Sequence, residues 1–176
     1  MRYIKGSTNI GLYFDRGTNS DCKIIEYSDS DFAGNLDRRR SLTGYAFTLS
    51  DCAISWKVTL QSTVILSITE AQYMIVTETV KEAIWLRGLI ENLGLYQGIT
   101  TVFCKSQSAI HLMKYQIYHE KIKHIDVKYH FIREIKVIKI KKIDTVDNST
   151  EMMIKPISSC KFENCLDLFG VQSGEG

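Results

Sequence analysis

The chain has 176 residues, with 22 Lys and Arg against 20 Asp and Glu, and a formal net charge of +2. This length fits one domain of ordinary size, and a composition of 44% hydrophobic and 24% charged residues is typical of globular rather than disordered proteins. Since no apolar run approaches the ~20 residues of a membrane span and the N-terminus has no signal-peptide core, we expect an intracellular protein, cytoplasmic or nuclear, that is neither secreted nor in a membrane.

Short β-prone runs dominate the first third of the chain. Residues 23–28 predict a strand that leads to Asp29 and Asp31. A polar, basic turn is expected over residues 34–41, and we expect the strand to end before this turn. Residues 44–49 and 53–57 then predict two strands of a hairpin, joined by residues 50–52.

The next segment has the clearest helix signals. Ser67-Ile-Thr-Glu70 is a capping box, in which the Ser hydroxyl and the Glu carboxylate satisfy the first free N–H groups of a helix. Apolar residues recur at steps of three or four from Val76 to Leu93, and Gly94 follows as a stop signal. These signals predict one long helix.

Strands and helices alternate in the remainder. The pattern predicts a strand over 100–104, a helix over 106–113, a helix-prone basic segment over 126–135, a strand over 137–143, a helix over 160–168 and a disordered tail over 172–176. This succession indicates an α/β fold with a mixed sheet and a hairpin at its edge.

The near-neutral net charge hides a local asymmetry. Between Lys121 and Lys142 there are eight basic and two acidic side chains, a net +6, whereas the rest of the chain has 14 basic and 18 acidic side chains, a net −4. Such a segment favours a surface that faces a polyanion, although a solvated helix face gives the same pattern. The five scattered cysteines indicate free thiols rather than a disulfide framework.

Eight short motifs, in order along the chain, resemble one family. Together they are similar to the C-terminal ribonuclease H-like domain of copia-type retrotransposon Pol polyproteins, over residues 1 to about 171. The motifs are Tyr27–Gly34, Arg39–Tyr45, Ile54–Lys57, Thr69–Met74, Lys81–Leu86, Gln107–Ile110, Lys123–Glu134 and Asp147–Met153.

The resemblance implies a fold, an activity and partners. The fold is a ribonuclease H-like α/β fold, a five-stranded mixed sheet with helices on its faces. The activity is hydrolysis of the RNA strand of an RNA–DNA hybrid with Mg²⁺ or Mn²⁺. Residues 1–22 would be a remnant of the connection that follows a reverse transcriptase in the same polyprotein, residues 23–171 the ribonuclease H-like domain, and residues 172–176 a tail.

The family has four acidic metal-binding positions, and the resemblance maps them onto Asp29, Gln72, Lys105 and Glu151. Only Asp29 and Glu151 are acidic here, so the four positions carry a net charge of −1 instead of −4. Asp31 is a candidate additional metal ligand if the first strand continues through it, because residues i and i+2 of a strand share a face. A lysine at such a site repels each unit of positive charge by about 4 kcal/mol at ~4 Å and an effective dielectric of ~20.

Three hypotheses follow. The first is a ribonuclease H-like domain whose hydrolase site has decayed. The second is a non-catalytic module that binds nucleic acid or another partner, and the third is a weak one-metal nuclease that uses Asp29, Asp31 and Glu151. Sequence-independent phosphate contacts are expected from two basic clusters: Arg39 and Arg40 in the turn, and Lys123, Lys128 and Arg133 in the basic segment. For the aromatic residues Trp56, Tyr73, Trp85 and Phe103 we expect core packing.

Overall fold

The computed structural model describes residues 7–14, 23–35, 40–61, 67–95, 98–114 and 136–174. Within these ranges the elements in chain order are β1 (Ile10–Leu12), β2 (Ile24–Asn35), β3 (Arg40–Leu49), β4 (Cys52–Leu60), α1 (Ile68–Asn92), β5 (Thr100–Cys104), α2 (Gln107–Lys114), β6 (Ile138–Lys142), α3 (Glu151–Ile154), α4 (Ser159–Leu168) and β7 (Val171–Ser173).

A five-stranded mixed sheet organises the fold. Its strand order is β4-β3-β2-β5-β6. The pairs β4–β3 and β3–β2 are antiparallel, and the pairs β2–β5 and β5–β6 are parallel. A separate antiparallel pair joins β1 to β7. The predicted α/β class with a five-stranded mixed sheet and an edge hairpin is therefore confirmed.

Helices cover both faces of this sheet. Tyr73, Val76 and Val80 of α1 are fully buried in a core that also includes Phe47 of β3 and Val102 of β5. A smaller cluster on the opposite face places Phe169, at the end of α4, and the Met152 and Met153 side chains of α3 against Ala46 and Ala53. The two apolar faces explain why the strand residues alternate between the two clusters.

The long helix α1 begins and ends where its sequence signals predict. Ser67 is the N-cap residue, and its hydroxyl accepts a hydrogen bond from the Glu70 backbone N–H at 3.1 Å. At the other end Gly94 has φ = +82°, a left-handed conformation that glycine adopts without a steric cost. The cap stabilises the first turns of α1, which include Gln72, a residue that contacts Asp29 of β2.

Strand β2 is longer than predicted, which corrects one expectation about Asp31. The strand continues to Asn35, and Asp31 pairs with Leu42 of β3 before a register shift between Asp31 and Asn35. The polar sequence after residue 34 is typical of a turn, but the antiparallel partner strand β3 begins at Arg40 and extends the ladder. Asp29 and Asp31 therefore lie on one strand.

Two further expectations were wrong. Trp56 and Trp85 are not core residues: they are 59% and 61% exposed, because Trp56 lies on the edge strand β4 and Trp85 on the solvent side of α1. Gln172 and Ser173, predicted as the start of a disordered tail, instead form β7 with residue 171. Tyr73, in contrast, is fully buried as expected.

The cysteines that the structure describes, Cys52, Cys104, Cys160 and Cys165, are free thiols. Among the described residues no helix combines the length and apolar character that crossing a bilayer requires. The helix predicted over residues 126–135 lies outside the described residues.

A buried carboxyl group lies inside the main core. Glu26 of β2 is 0% exposed, and burial raises the pKa of its carboxyl well above the usual range, more than nearby Ser28 and Thr79 lower it. A carboxyl group in this position is neutral in the folded state at pH values where it is ionised in the unfolded chain.

We expect Glu26→Gln to change the pH dependence of stability. Above pH ~4.5 the unfolded wild-type chain releases this proton and the folded chain keeps it, so the free energy of unfolding falls by about 1.4 kcal/mol per pH unit until the folded-state pKa is reached. In urea unfolding from pH 4.5 to 8, the free energy of unfolding of the Gln variant should increase relative to that of wild type as pH rises. Exposed Glu163→Gln is the control, and parallel profiles for Glu26→Gln and wild type would contradict the prediction.

Candidate functional site

Four separate elements bring the four mapped positions together. Asp29 lies on β2, Gln72 in the first turns of α1, Lys105 directly after β5, and Glu151 at the start of α3. Since β2 and β5 are parallel neighbours, Asp29 and Lys105 lie at the same end of the sheet. The Gln72 Nε2 atom donates to Asp29 Oδ1 at 3.3 Å, which joins the helix to this end.

Lys105 lies between the two carboxylates. Its Nζ atom is 2.8 Å from Asp29 Oδ2 and 3.3 Å from Glu151 Oε1. The side chains are only 14% (Lys105), 2% (Asp29) and 9% (Glu151) exposed. The ammonium group thus occupies the space between Asp29 and Glu151 in which a cation would have to bind.

Two more lysines complete the cluster. Lys155 Nζ lies 2.9 Å from Glu151 Oε1 and 3.9 Å from Asp29 Oδ2. Lys161 of α4 pairs with Glu151 Oε2 and also donates to the Thr145 carbonyl at 2.9 Å. With Gln72 neutral, three lysines face two carboxylates, so this ionic cluster carries a net charge of +1.

A buried asparagine positions Glu151. Asn148 is fully buried, and its Nδ2 donates to the Ser28 carbonyl of β2 at 2.8 Å. Its Oδ1 accepts hydrogen bonds from the backbone N–H and the hydroxyl of Thr150, at 3.2 and 2.6 Å. These bonds tie the turn before α3 to the central strand and place Glu151 beside Lys105.

The lysines keep Glu151 ionised. Burial raises the pKa of this carboxyl, but hydrogen bonds from Lys161 and Lys155 and the charge of Lys105 lower it more, to about 2. The pKa of Lys155 is raised in turn: burial lowers it, but the bond to Glu151 and the charge of Asp29 outweigh that effect. Both carboxylate oxygens of Asp29 and both of Glu151 therefore already contact protein groups.

The residues present do not fit a divalent metal ion. Mg²⁺ requires several oxygen ligands, usually carboxylates. In the described part of the chain, no group of three or more His, Cys, Asp or Glu side chains is arranged to hold a metal. The Gln72 amide presents its NH₂ group to Asp29, and its Oε1 lies 3.8 Å from Cys104 Sγ. An oxygen ligand from α1 is therefore not directed at the carboxylates.

The other predicted site residues are placed as follows. Asp31 is half-buried on β2, near enough for its charge to act on Lys155. Arg40 is half-buried as the first residue of β3. The other predicted phosphate contacts, Arg39, Lys123, Lys128 and Arg133, lie outside the described residues.

Sequence reasoning missed Lys155, Lys161 and Asn148. Lys155 is four residues after Glu151, a spacing that favours an ion pair on a helix and was available as a signal. Lys161 and Asn148 gave no comparable signal, because their roles depend on how α4 and the turn before α3 pack against the sheet.

The fold is that of the ribonuclease H-like class. Its sheet and helices superpose on the foamy viral protease–reverse transcriptase, solved in complex with dsDNA, with a TM-score of 0.55 and 9% identity over 82% of this chain and 28% of that chain. They also superpose on the N-terminal RNase H domain of Rv2228c from Mycobacterium tuberculosis, with a TM-score of 0.53 and 12% identity over 82% of this chain and 96% of that domain chain.

Sequence comparison identifies the relatives more specifically than the fold does. The chain is homologous to retrovirus-related Pol polyproteins from plant transposons. It is 47% identical over 98% of its length to the Pol polyprotein of transposon TNT 1-94 from Nicotiana tabacum, and 31% identical over 97% of its length to that of transposon RE1 from Arabidopsis thaliana. It spans 13% and 12% of those polyproteins. No protein-family model matches the chain.

Removal of the central ammonium should destabilise the fold. We expect Lys105→Met to lower the free energy of unfolding by about 3 kcal/mol, because it leaves two buried carboxylates without this counter-charge. The control is Lys81→Met, which removes an exposed ion pair with Glu78 and should cost less than about 1 kcal/mol. Urea unfolding at pH 7 measures both, and equal small losses would contradict a structural role for Lys105.

Proposed function

We propose that the chain is the C-terminal ribonuclease H-like domain of a copia-type retrotransposon Pol polyprotein, that it is catalytically degenerate, and that it binds nucleic acid without cleaving it. The ordered motifs, the Pol homology and the ribonuclease H-like fold support this assignment. In such a polyprotein the domain follows the reverse transcriptase, with residues 1–22 as a remnant of the connection and residues 23–171 as the domain.

The position of Lys105 carries the proposal. Two-metal hydrolysis of a phosphodiester requires two dications about 3.5–4 Å apart, and here an ammonium group lies 2.8 Å from Asp29 and 3.3 Å from Glu151. At ~4 Å and an effective dielectric of ~20, a lysine repels a dication by about 8 kcal/mol. The two carboxylates that would attract the ion are already paired with lysines.

Charge supports the retention of nucleic-acid binding. The four mapped positions carry a net charge of −1 where the family's acidic positions would give −4, and Lys155 and Lys161 bring the ionic cluster to +1, so this end of the sheet repels a phosphate far less. The segment from Lys121 to Lys142 adds a net +6. Contacts of lysine and arginine with phosphates are independent of sequence and weaken as salt is raised. An RNA–DNA hybrid is the expected partner, with contacts that include Arg39, Arg40, Lys123, Lys128 and Arg133.

A hydrolysis assay on an RNA–DNA hybrid tests this proposal. The unaltered chain should give no cleavage above background in Mg²⁺ or in Mn²⁺. The double variant Gln72→Glu/Lys105→Asp restores carboxylates at two of the four positions and should gain metal-dependent cleavage. The matched control adds Asp29→Asn to the double variant and should abolish the gain.

Two outcomes would contradict the proposal. Metal-dependent cleavage by the unaltered chain that Asp29→Asn abolishes would favour the weak nuclease that uses Asp29, Asp31 and Glu151. A folded double variant that stays inactive would show that Gln72 and Lys105 are not the sole cause of inactivity, and would contradict the role given to Lys105.

A further inference from the structure

Strand β6 presents three exposed lysines at one edge of the sheet. Ile138 and Ile140 pack against the core beneath α1. Because side chains alternate along a strand, Lys139 and Lys141 point to the opposite face. Lys139, Lys141 and Lys142 are exposed, and none of the three forms an ion pair with another described residue.

Aromatic rings lie directly beside these lysines. Phe103 of β5 is the register partner of Lys141, and Tyr27 of β2 is the register partner of Phe103. The Tyr27 and Phe103 rings stack, with centroids 5.6 Å apart and an interplanar angle of 20°, and both residues are half-buried. Three neighbouring strands therefore present a row of two rings and one ammonium group on the same face. The next row places Thr101 beside Lys139.

On the sheet face that carries Tyr27, Phe103 and Lys141, the described helices cover only the side formed by β2, β3 and β4. Helix α3 packs against β2 and β3. Phe169, at the end of α4, lies near Ala46 and Ala53, and its ring meets the Tyr27 ring edge-on with centroids 6.5 Å apart, so the part of the face that the described helices leave uncovered is that of β5 and β6. The extensive contacts of β6 with described elements are those with β5 and α2, and α2 packs on the α1 side. Asp51 and Asp147 lie close enough to Tyr27 to act on it electrostatically. On β6 itself, every charged side chain is a lysine.

We propose that this face of β5 and β6 binds single-stranded nucleic acid, with Lys139 and Lys141 contacting phosphates and the Phe103 ring stacking on a base. A positive surface beside a partly exposed aromatic ring is the arrangement by which proteins bind single strands without sequence preference. The inference rests on the proposed nucleic-acid binding, but its residues are separate from the Asp29 cluster. The competing role for lysines on an edge strand, prevention of strand pairing between molecules, requires no effect on nucleic-acid affinity.

Fluorescence anisotropy with a labelled single-stranded oligonucleotide and a labelled RNA–DNA hybrid tests this assignment over a salt series. Lys139→Ser/Lys141→Ser should weaken single-strand binding and reduce the slope of log K against log salt by about 1.4, since each single-strand phosphate contact contributes about 0.7. Phe103→Leu should weaken single-strand binding at least about fivefold with an unchanged salt slope, and should leave hybrid binding unchanged. The control is Lys57→Ser, an exposed lysine on the opposite edge strand β4, which should have no effect.

Each remaining outcome overturns the assignment. If the chain binds and the double lysine variant keeps its affinity and salt slope, this face is not the site, although the proposed function stands. If the chain binds neither probe, both fail. Equal losses in the Lys57 control, or equal losses of single-strand and hybrid binding in Phe103→Leu, would indicate non-specific attraction or duplex binding. Thermal unfolding confirms that each variant folds. If Phe103→Leu does not fold, the double lysine variant alone decides whether this face binds single strands.

Discussion

The ammonium group of Lys105 between Asp29 and Glu151 holds one end of this molecule together. It joins the central strand β2, the end of β5 and the start of α3 within one hydrogen-bonding distance of each carboxylate. Lys161 extends the same contact to α4. Because the Glu151 carboxylate is almost fully buried, it depends on its lysine partners to remain ionised at a tolerable free-energy cost. The packing of the C-terminal helices against the sheet therefore depends on this charge balance.

The same arrangement links stability and chemistry. Four carboxylates gathered at the end of a sheet repel one another unless a metal ion neutralises them. With Lys105 and Gln72 at two of the positions to which the family resemblance maps these carboxylates, the protein supplies its own cation and a neutral amide donor. The positions around Asp29 then need no metal ion to stabilise the fold. Under the proposed function, Lys105 and Gln72 both make a metal ion unnecessary for stability and prevent hydrolysis. The net positive charge of the ionic cluster still favours contact with a phosphate.

Much of the fold could be predicted from local signals. The cap at Ser67 and the apolar period identify α1, and the hairpin and the strand at 100–104 lie where their residue patterns indicate. The convergence of Asp29, Gln72, Lys105 and Glu151 followed from family resemblance, since nothing local in the sequence brings those four residues together. The sequence did not predict contacts created by tertiary pairing: the extension of β2 through Asp31, the pairing of β7 with β1, and the bond from Lys161 to Glu151.

The most direct test of this account is thermal unfolding of the unaltered chain in Mg²⁺, in Mn²⁺ and in EDTA at matched ionic strength. A ligand that binds only the folded state raises the free energy of unfolding by RT ln(1 + L/Kd), where L is the free ligand concentration, so the unfolding midpoint rises with ligand concentration. Because Lys105 occupies the cation position, we predict the same midpoint temperature in all three solutions. A midpoint that rises with metal concentration, and no longer does so in Asp29→Asn, would show that a metal binds beside Asp29 and would contradict the account.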